Sequence, residues 1–385
     1  MADPHEIMLE CVNLALAGKG HTKTNPVVGA IIVKDDRVIG RGFHKSFGGD
    51  HAEIEAINDC EEEITGSDLY VTLEPCSHFG KTPPCVETIV KKGIKRVFVG
   101  VVDPNPVNAG KGIEYLLKNG VEVYVGFAEK ACAEIIEEFA KYIYKKQPFY
   151  SLKIAQTLDG KIAAKDGSSK WITDETSRQH AHYIRSVSDG ILTGIGTVLA
   201  DDPELNARFL GFKKYPYKII LDSSLKISAD AAVFNEKPEK CIIFTSNSCF
   251  DEKPDKIDKL RKMGVEVIPC NKLNDGLDLQ NASDELVKRG ILNVLVEGGG
   301  RIHASFIKEG MADKAYVFIA GKILGADGID SLDSLNINSI DECKMLSDPN
   351  VTRLKNDFLF TGKFYDYSKD IISLTERVRN RCSPE

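Results

Sequence analysis

Leu69-Tyr70-Val71-Thr72-Leu73-Glu74-Pro75-Cys76 is the stretch that decides the fold of the first part of the chain. Its first five residues are apolar, aromatic or β-branched, which is typical of a buried strand, and the strand runs into a Pro-Cys turn. Helical patterns lie on either side, at 51–60 and at 85–92. A strand set between two helices predicts layered α/β architecture.

The same alternation extends outward in both directions from this strand. The resulting order, α-β-β-α-β-α-β-α-β-α, predicts a three-layer α/β sandwich for residues 1–146. The other predicted elements of this part are helices at 3–18, 112–118 and 128–144 and strands at 27–33, 37–43, 96–102 and 121–125.

A second α/β domain is predicted for residues 147–368. Gln147-Pro148 follows a lysine-rich helix end, which makes it a natural boundary, and a strand pattern restarts at 150–156. Strands and helices then alternate again. The residues from 369 to 385 are mostly charged or polar, and we expect them to form a polar C-terminal tail.

Composition excludes several classes of protein. The chain has 385 residues, and 50 Lys and Arg against 57 Asp and Glu give a net charge of −7, so we expect no nucleic-acid partner. No apolar run approaches the roughly 20 residues of a membrane helix, and the first residues lack the features of a signal peptide. We therefore expect a cytoplasmic protein without a membrane partner, whose ten cysteines are thiols or metal ligands.

A metal site is predicted by His51-Ala52-Glu53 together with Cys76 and Cys85. One imidazole and two thiolates give zinc three ligands and leave the fourth position for water, as in catalytic sites. Glu53, two residues beyond the histidine, is placed as a general acid and base. This H-x-E…P-C pattern is the signature of zinc nucleobase deaminases. It departs from the usual form because eight residues, 77–84, separate the cysteines instead of two.

Gly298-Gly299-Gly300 is the candidate phosphate-binding segment of the second domain. It follows a predicted strand and precedes a predicted helix, so backbone N–H groups could approach a pyrophosphate, with Arg301 adding charge. The alternative is a glycine-rich turn of purely geometric use. Gly194-Ile195-Gly196 is only a fragment of a dinucleotide fingerprint, because residue 199 is leucine, so a Rossmann site is poorly supported.

Taken together, these motifs resemble the bifunctional pyrimidine deaminase–reductases of riboflavin biosynthesis. The eight-residue cysteine spacing sets that family apart from cytidine and tRNA-adenosine deaminases. The resemblance covers residue 1 to about residue 367. It is carried by the segments 24–30, 51–53, 72–85, 103–106 and 110–112 and, in the second domain, by 152–161, 171–173, 197–203 and 297–300.

The resemblance implies an N-terminal cytidine-deaminase-like domain, a C-terminal dihydrofolate-reductase-like domain, and two consecutive reactions. The first is the zinc-dependent deamination of 2,5-diamino-6-(5-phosphoribosylamino)pyrimidin-4(3H)-one. The second is reduction of the ribosyl side chain by NADPH, which gives 5-amino-6-(5-phosphoribitylamino)uracil. The partner is then a small phosphorylated pyrimidine, and the family favours a homo-oligomer.

The resemblance also implies roles for individual residues. His51, Cys76 and Cys85 are the zinc ligands and Glu53 is the catalytic proton carrier. The substrate contacts of the deaminase are Asn25, His44, His78, Lys81 and Asn105. The NADPH contacts are Ala155, Trp171, Thr197, Asp201, Ser223, Gly299, Gly300 and Arg301. The substrate contacts of the reductase are Lys153, Ser169, Arg185, Leu205, Arg208 and Glu297.

Particular chemistry is expected of a few of these residues. Lys81 suits a phosphate as a point charge, whereas Arg185 and Arg208 suit bidentate phosphate binding. Lys153 and Asp201 are the candidate proton donors of the reductase.

Two other interpretations remain open at this point. One is a deaminase of another nucleobase with an inactive second domain, although the cysteine spacing and the segments 197–203 and 297–300 argue against it. The other is a structural-zinc protein with a nucleotide-sensing module. That interpretation requires a fourth protein ligand, for which His78 or Cys60 could serve, and it leaves Glu53 without a role.

Overall fold

The computed structural model describes residues 3–79, 83–209, 211–273 and 276–382, without the side chains of Phe212 and Cys382. The chain divides into two compact units. The first comprises Met1–Lys146 and Asp366–Glu385, and the second comprises Gln147–Tyr365. Over the described ranges, no helix combines the length and apolar character that crossing a bilayer requires.

The first unit is built on a five-stranded sheet with the strand order β2-β1-β3-β4-β5. Strand β1 is antiparallel to both β2 and β3, whereas β3, β4 and β5 are parallel. Its elements up to residue 145 are α1 (Pro4–Leu16), β1 (Gly29–Lys34), β2 (Arg37–Phe43), α2 (Ala52–Asp59), β3 (Asp68–Leu73), α3 (Cys85–Lys91), β4 (Arg96–Val101), α4 (Lys111–Lys118), β5 (Glu122–Val125), α5 (Glu129–Glu134) and α6 (Glu137–Lys145).

Strand β3 lies at the centre of this sheet, and all six of its residues are buried. Leu69 and Val71 pack in an apolar cluster with side chains of α2, α3 and α4. Between them Tyr70 points to the other face, where its ring stacks on that of Phe98. This alternation explains why the strand is apolar on both sides, since helices cover both faces of the sheet.

The packing of α2 on β2 depends on a glycine. A Cβ atom added to Gly42 would lie 2.3 Å from the carbonyl oxygen of Ala52, which is the first residue of α2. A second glycine, Gly40, makes the same close approach to the carbonyl oxygen of Ala56. The two glycines therefore set the distance between β2 and the helix that begins directly after His51.

The predicted helix over 128–144 is two helices in the structure. Helix α5 ends at Glu134, and α6 begins at Glu137 after the pair Ile135 and Ile136. Both isoleucines are buried. In one continuous helix their side chains would point about 100° apart, so the break lets two consecutive β-branched residues reach the interior.

The second unit is built on a nine-stranded sheet with the order β13-β12-β11-β8-β16-β6-β17-β20-β19. The first seven strands of that order are parallel to one another. At the remaining edge, β20 is antiparallel to both of its neighbours, β17 and β19. Apolar clusters pack against the sheet, and one of them is formed by residues of β6, β8, β11, β12, β16, α11 and α12. Strands β8 and β19 and helix α8 were not predicted from the sequence.

The regular elements of the second unit are β6 (Phe149–Thr157), β7 (Lys161–Ala163), α7 (Glu175–Val187), β8 (Gly190–Gly194), α8 (Ile195–Asp201), β9 (Ala207–Phe209), β10 (Phe212–Lys214), β11 (Tyr217–Leu221), β12 (Cys241–Ser246), α9 (Ser248–Glu252), α10 (Pro254–Lys262), β13 (Glu266–Cys270), β14 (Lys272–Leu273), β15 (Gly276–Leu277), α11 (Leu279–Lys288), β16 (Asn293–Glu297), α12 (Gly300–Lys308), β17 (Ala312–Ala320), β18 (Ile329–Asp330), β19 (Ser347–Leu354) and β20 (Asp357–Lys363). Short 3₁₀ turns occur at Ala232–Phe234, Pro238–Lys240, Gly325–Asp327 and Ile340–Glu342.

The residues expected to form a polar tail are helical in the structure. Helix α13 (Tyr367–Cys382) belongs to the first unit. Tyr367, Ile371, Thr375 and Val378 are buried, and they recur at intervals of four, four and three residues. This spacing places them on one face of the helix. The many charged residues between them concealed that face in the sequence.

We expect Gly42→Ala to destabilise the protein, because the added methyl group would overlap the backbone of α2. Overpacking of this kind costs about 1–3 kcal/mol. Urea denaturation followed by circular dichroism measures the loss. Gly321→Ala is the control, because a Cβ atom at that exposed position meets no atom within 4 Å. Equal midpoints for the two variants would contradict the role given to Gly42.

Candidate active sites

Three ligand atoms converge in the first unit. His51 lies at the N-terminal cap of α2, Cys76 in the loop after β3, and Cys85 at the first position of α3. Nδ1 of His51 is 3.5 Å from the Cys76 sulfur and 3.2 Å from the Cys85 sulfur, and all three atoms lie within 4.8 Å of one another. In tetrahedral zinc sites such ligand atoms are roughly 3.5–4 Å apart. The donor set and its spacing therefore fit zinc.

The electrostatics of this cluster favour a thiolate. A hydrogen bond from Cys85 and a further one from His51 lower the pKa of Cys76 to about 4, against the effect of burial. The hydrogen bond to Cys76 raises the pKa of His51 to about 9. The sulfur is thus ready to bind a cation, whereas the imidazole must release a proton when it becomes a ligand.

Glu53 lies beside this cluster, in the first turn of α2. Its side chain is buried, and the loss of hydration raises its pKa to about 7. A carboxyl group with this pKa can be protonated or ionised close to neutral pH. That property is what a group needs in order to take up a proton and return it within one reaction.

A cavity of about 300 Å³ opens at the cluster. Most of the residues predicted for the deaminase site line it. They are Asn25, His44, His51, Glu53, Cys76, His78 and Asn105. Lys81 lies outside the residues that the structure describes. Phe47, Asp103 and Phe139 also line the cavity and were not predicted. No motif distinguishes the two phenylalanines from core or loop residues, whereas Asp103 lies in the segment 103–106 that carried the resemblance.

The buried imidazole of His44 is fixed in one orientation. Its Nδ1 is 2.9 Å from the carbonyl oxygen of Asp50, and its Nε2 is 3.1 Å from the amide nitrogen of Asn25. Burial lowers the pKa of His44, so the ring is neutral. Nδ1 then donates to Asp50 and Nε2 accepts from Asn25. The carbonyl oxygen of Asn25 is consequently the group that can accept a hydrogen bond from a ligand.

A buried carboxylate, Glu74, organises the far wall of the cavity. Its oxygens accept hydrogen bonds from the backbone N–H groups of Asp103 at 3.2 Å, Gly110 at 2.9 Å and Gly112 at 2.8 Å. Burial raises the pKa of Glu74 to about 7, and these donors, which include the start of α4, act against burial by stabilising the ionised form. Glu74 therefore ties the loop that bears Asp103 to the strand end that bears Cys76.

Asn108 makes a second connection between the same two segments. Its side-chain oxygen accepts from the N–H and the hydroxyl of Ser77, at 2.9 and 2.8 Å. Its amide nitrogen lies 3.3 Å from both the Pro75 carbonyl and the Asp103 carboxylate. Neither Asn108 nor Glu74 was predicted as functional, although both lie in or beside the segments that carried the resemblance.

In the second unit, the predicted cofactor contacts gather at one edge of the parallel sheet. Thr197 and Asp201 lie in α8 after β8, Ser223 follows β11, and Gly299 follows β16. These strands are neighbours in the order β11-β8-β16-β6, and Ala155 lies on β6. The carboxyl edge of a parallel sheet is the usual place for ligands in α/β proteins.

Two further predicted contacts, Ser169 and Trp171, lie between β7 and α7. Trp171 is 63% exposed, and the Arg178 guanidinium lies 4.5 Å from the centre of its ring. Ser169 is two residues away and partly buried. Arg178 was not predicted as a functional residue, because nothing in the sequence distinguishes it from a solvent-exposed charge.

Two neighbouring residues of the glycine-rich segment, Gly299 and Gly300, have different roles. Gly299 caps α12 without a side-chain hydrogen bond, and a Cβ atom added there would meet no atom within 4 Å. A Cβ atom added to Gly300 would instead lie 2.9 Å from the backbone nitrogen of Asp333. Packing thus requires Gly300, as the geometric interpretation supposed, whereas Gly299 leaves open space before a helix N-terminus. An open helix N-terminus of this kind is suited to binding phosphate groups.

A buried ion-pair cluster lies beside this segment. Arg185 donates to Glu297 through Nε at 2.5 Å and Nη2 at 2.7 Å, and Lys153 is 3.5 Å from the same carboxylate. Burial alone would raise the pKa of Glu297, but these two cations lower it to about 2. The bidentate face of Arg185, expected to hold a phosphate, is therefore taken by Glu297, because an unpaired buried arginine would be costly.

The remaining predicted contacts differ in their accessibility. Arg208 is largely exposed, and its Nη1 lies 2.7 Å from a Glu204 carboxylate oxygen. Leu205 is buried. Arg301, which follows Gly300 in α12, is exposed.

Two family models match the chain. "Cytidine and deoxycytidylate deaminase zinc-binding region" matches residues 1–101, and "RibD C-terminal domain" matches residues 148–360. Among curated proteins, the riboflavin biosynthesis protein RibD of Aquifex aeolicus is 42% identical over 354 residues, 92% of this chain and 96% of the relative. The protein of that name from Bacillus amyloliquefaciens is 39% identical over 356 residues, 92% of this chain and 95% of the relative.

Solved structures agree with these sequence matches. Acinetobacter baumannii RibD, in one crystal form, has a TM-score of 0.81 at 32% identity, covering 94% of this chain and 98% of that one. The diaminohydroxyphosphoribosylaminopyrimidine deaminase/5-amino-6-(5-phosphoribosylamino)uracil reductase of Thermotoga maritima has a TM-score of 0.81 at 38% identity, with the same coverage.

These findings decide between the interpretations of the sequence. Among the described residues, His78 and Cys60 do not join the ligand group, so the structural-zinc interpretation lacks its fourth ligand. The cytidine-deaminase-like first domain, the dihydrofolate-reductase-like second domain and the cofactors Zn²⁺ and NADPH are confirmed. The chain belongs to the RibD family, the bifunctional zinc-dependent deaminases and NADPH-dependent reductases of riboflavin biosynthesis.

Proposed function

We propose that the first unit deaminates 2,5-diamino-6-(5-phosphoribosylamino)pyrimidin-4(3H)-one and that the second reduces the ribosyl side chain of the product with NADPH. The observation that carries the first half is the convergence of His51, Cys76 and Cys85 at a cavity also lined by Glu53. The open space at Gly299, at the carboxyl edge of the parallel sheet, supports the second half.

In the deaminase, His51, Cys76 and Cys85 would hold zinc, which would supply the Lewis acidity that makes water nucleophilic near neutral pH. Glu53 takes one proton from the attacking water and passes it to the ring nitrogen. It then takes the second proton from the hydroxyl group added to the ring carbon and gives it to the amino group, which leaves as ammonia when its C–N bond breaks. Its raised pKa, about 7, suits both directions of transfer. The fixed amide of Asn25 and the side chain of Asn105 hold the pyrimidine, and Lys81, which lies outside the described residues, is assigned to the phosphate by the resemblance to the family alone.

In the reductase, NADPH supplies the hydride when it is bound. The N-terminus of α12, reached across Gly299, binds the pyrophosphate, with Arg301 nearby. Glu297 stays ionised and holds both Arg185 and Lys153 in place. Lys153 is the proton donor in this proposal, and Arg208, which is exposed, holds the substrate phosphate.

The cellular location and the oligomeric state of the protein are also proposals. A cytoplasmic location is supported by the nine cysteines whose side chains the structure describes, none of which forms a disulfide. The resemblance to the family supports a homo-oligomer. Light scattering on the purified protein measures that state directly.

Glu53→Gln should reduce ammonia release by about 10²–10⁴-fold, because the amide cannot carry the proton. Reduction of pre-deaminated substrate by NADPH should continue, and the zinc content should not change. Glu55→Gln, in the same helix, is the matched control, because it removes only a surface pair with Lys45. Deamination at the normal rate in Glu53→Gln would exclude the proposed proton carrier.

Removing zinc with a chelator should abolish deamination and leave NADPH oxidation on pre-deaminated substrate intact, since the predicted ligands all lie in the first unit. Adding zinc should restore ammonia release. Cys76→Ser should lower the zinc content, measured by atomic absorption, whereas Cys60→Ser should not. Full deamination in metal-free protein would rule out this site as the catalytic centre.

Gly299→Ala should raise the KM for NADPH about tenfold, equivalent to about 1.4 kcal/mol of binding, because the methyl group enters the space that the pyrophosphate needs. The protein should fold normally, since φ is −81° at this position and the methyl group meets no atom. Gly300→Ala should instead lower the denaturation midpoint. A normal KM in folded Gly299→Ala would place the cofactor elsewhere.

A further inference from the structure

Helix α13 completes the first unit from the far end of the chain. It lies outside both matched ranges, residues 1–101 and 148–360, and it packs against α5, α6, β4 and β5. Its position draws attention to the segment between β4 and α4, residues 102–110. That segment bears Asp103 and Asn105, which line the deaminase cavity.

The helix contacts the beginning of this segment. The backbone N–H of Val102 donates to the hydroxyl oxygen of Thr375 at 3.0 Å. Both residues are fully buried. The Thr375 hydroxyl in turn donates to the carbonyl oxygen of Ile371 at 2.8 Å, which fixes its direction. Since water cannot reach this N–H group, Thr375 determines where the chain leaves β4.

The helix also contacts the end of the same segment. Gly110 caps α4 with a φ of 88°, and a Cβ atom added there would lie 3.5 Å from both methyl groups of Val378. Val378, Val102 and Ile113 form one buried apolar cluster, against which Leu374 packs. One face of α13 therefore touches both ends of the segment that carries Asp103 and Asn105.

The position of α13 along its own axis is fixed separately. Nη1 of Arg379 lies 3.1 Å from the carboxylate of Glu129 in α5. This ion pair is one turn beyond Thr375, so it resists sliding of the helix relative to the sheet. Together the hydrogen bond, the apolar cluster and the ion pair hold α13 in one register.

We propose that α13 positions the wall of the deaminase cavity formed by residues 103–109, with Thr375 as its positioning residue. The proposal rests on the function proposed above for Asn105, which contacts the pyrimidine. It makes the deaminase dependent on residues that follow the reductase in the chain. Thr375 touches neither substrate nor zinc ligand and acts through Val102.

Thr375→Val in the full-length protein tests this role, because valine keeps the shape and removes the acceptor. We expect the KM of deamination to rise roughly tenfold, with kcat, zinc content and NADPH-dependent reduction unchanged. Thr375→Ser, which keeps the hydroxyl, should restore the normal KM. Glu376→Gln, on the exposed face of the same helix, is the control and should behave as the unaltered protein.

Asn105→Ala, measured in parallel, separates this proposal from the one on which it rests. If Asn105→Ala raises the KM and Thr375→Val does not, the role of α13 is overturned. If Asn105→Ala leaves the KM unchanged and Thr375→Val raises it, the contact by Asn105 fails, while α13 still positions the wall through Asp103. A loss of reductase activity in Thr375→Val as well would also overturn a local role.

Hydrogen exchange gives a result that does not depend on activity. In Thr375→Val the amides of residues 102–110 should exchange faster than in the unaltered protein, whereas those of β3 should not. Unchanged exchange in residues 102–110 would overturn the proposal even if the activity falls.

Discussion

The convergence of one imidazole and two thiols within 4.8 Å is the constraint on which the first unit depends. The three side chains come from separate segments, so the ends of α2, β3 and α3 must meet at one point. Buried strand β3 supplies the fixed centre, and Gly42 lets α2 approach closely enough to bring His51 in. Displacement of any one of these segments would move its donor atom out of bonding distance of a zinc ion held by the other two.

The sequence predicted this cluster because its chemistry is local. His51 and Glu53 are two residues apart, and Cys76 closely follows a strand whose apolar pattern is clear. Glu74 and Asn108 could not be found in this way. Most of their partners are backbone N–H and carbonyl groups, and a hydrogen bond to the backbone imposes no residue type on the other side. Only the folded chain shows that they join the two loops around the cavity.

Some elements of secondary structure also could not be predicted from the sequence. Strand β8, residues 190–194, begins and ends in glycine and is too short to show a period, so only its place in the sheet identifies it. Helix α13 was missed for a different reason. Its buried residues follow helical spacing, but the charged residues among them resemble a solvated tail, and the apolar surface that α13 covers lies in a part of the sequence far away.

Both sites must bind anions in a chain of net charge −7, and the structure shows how the local field can differ from the total. The buried cations of the second unit, Arg185 and Lys153, are already paired with Glu297, so they contribute order more than attraction. By contrast, no side-chain cap accepts a hydrogen bond from the backbone N–H groups at the start of α12. In the function proposed above, phosphate binding at that helix depends on close approach across Gly299, which a change in net charge would not replace.

The order of the segments along the chain adds a constraint on folding. Helix α13 follows the second unit in sequence and belongs to the first. The N–H of Val102 and the apolar surface of Val102 and Ile113 therefore stay without their partners until the whole second unit has been synthesised. Domains commonly fold in order from the N-terminus as they emerge. Here the first unit can reach its final packing only after the second has been made.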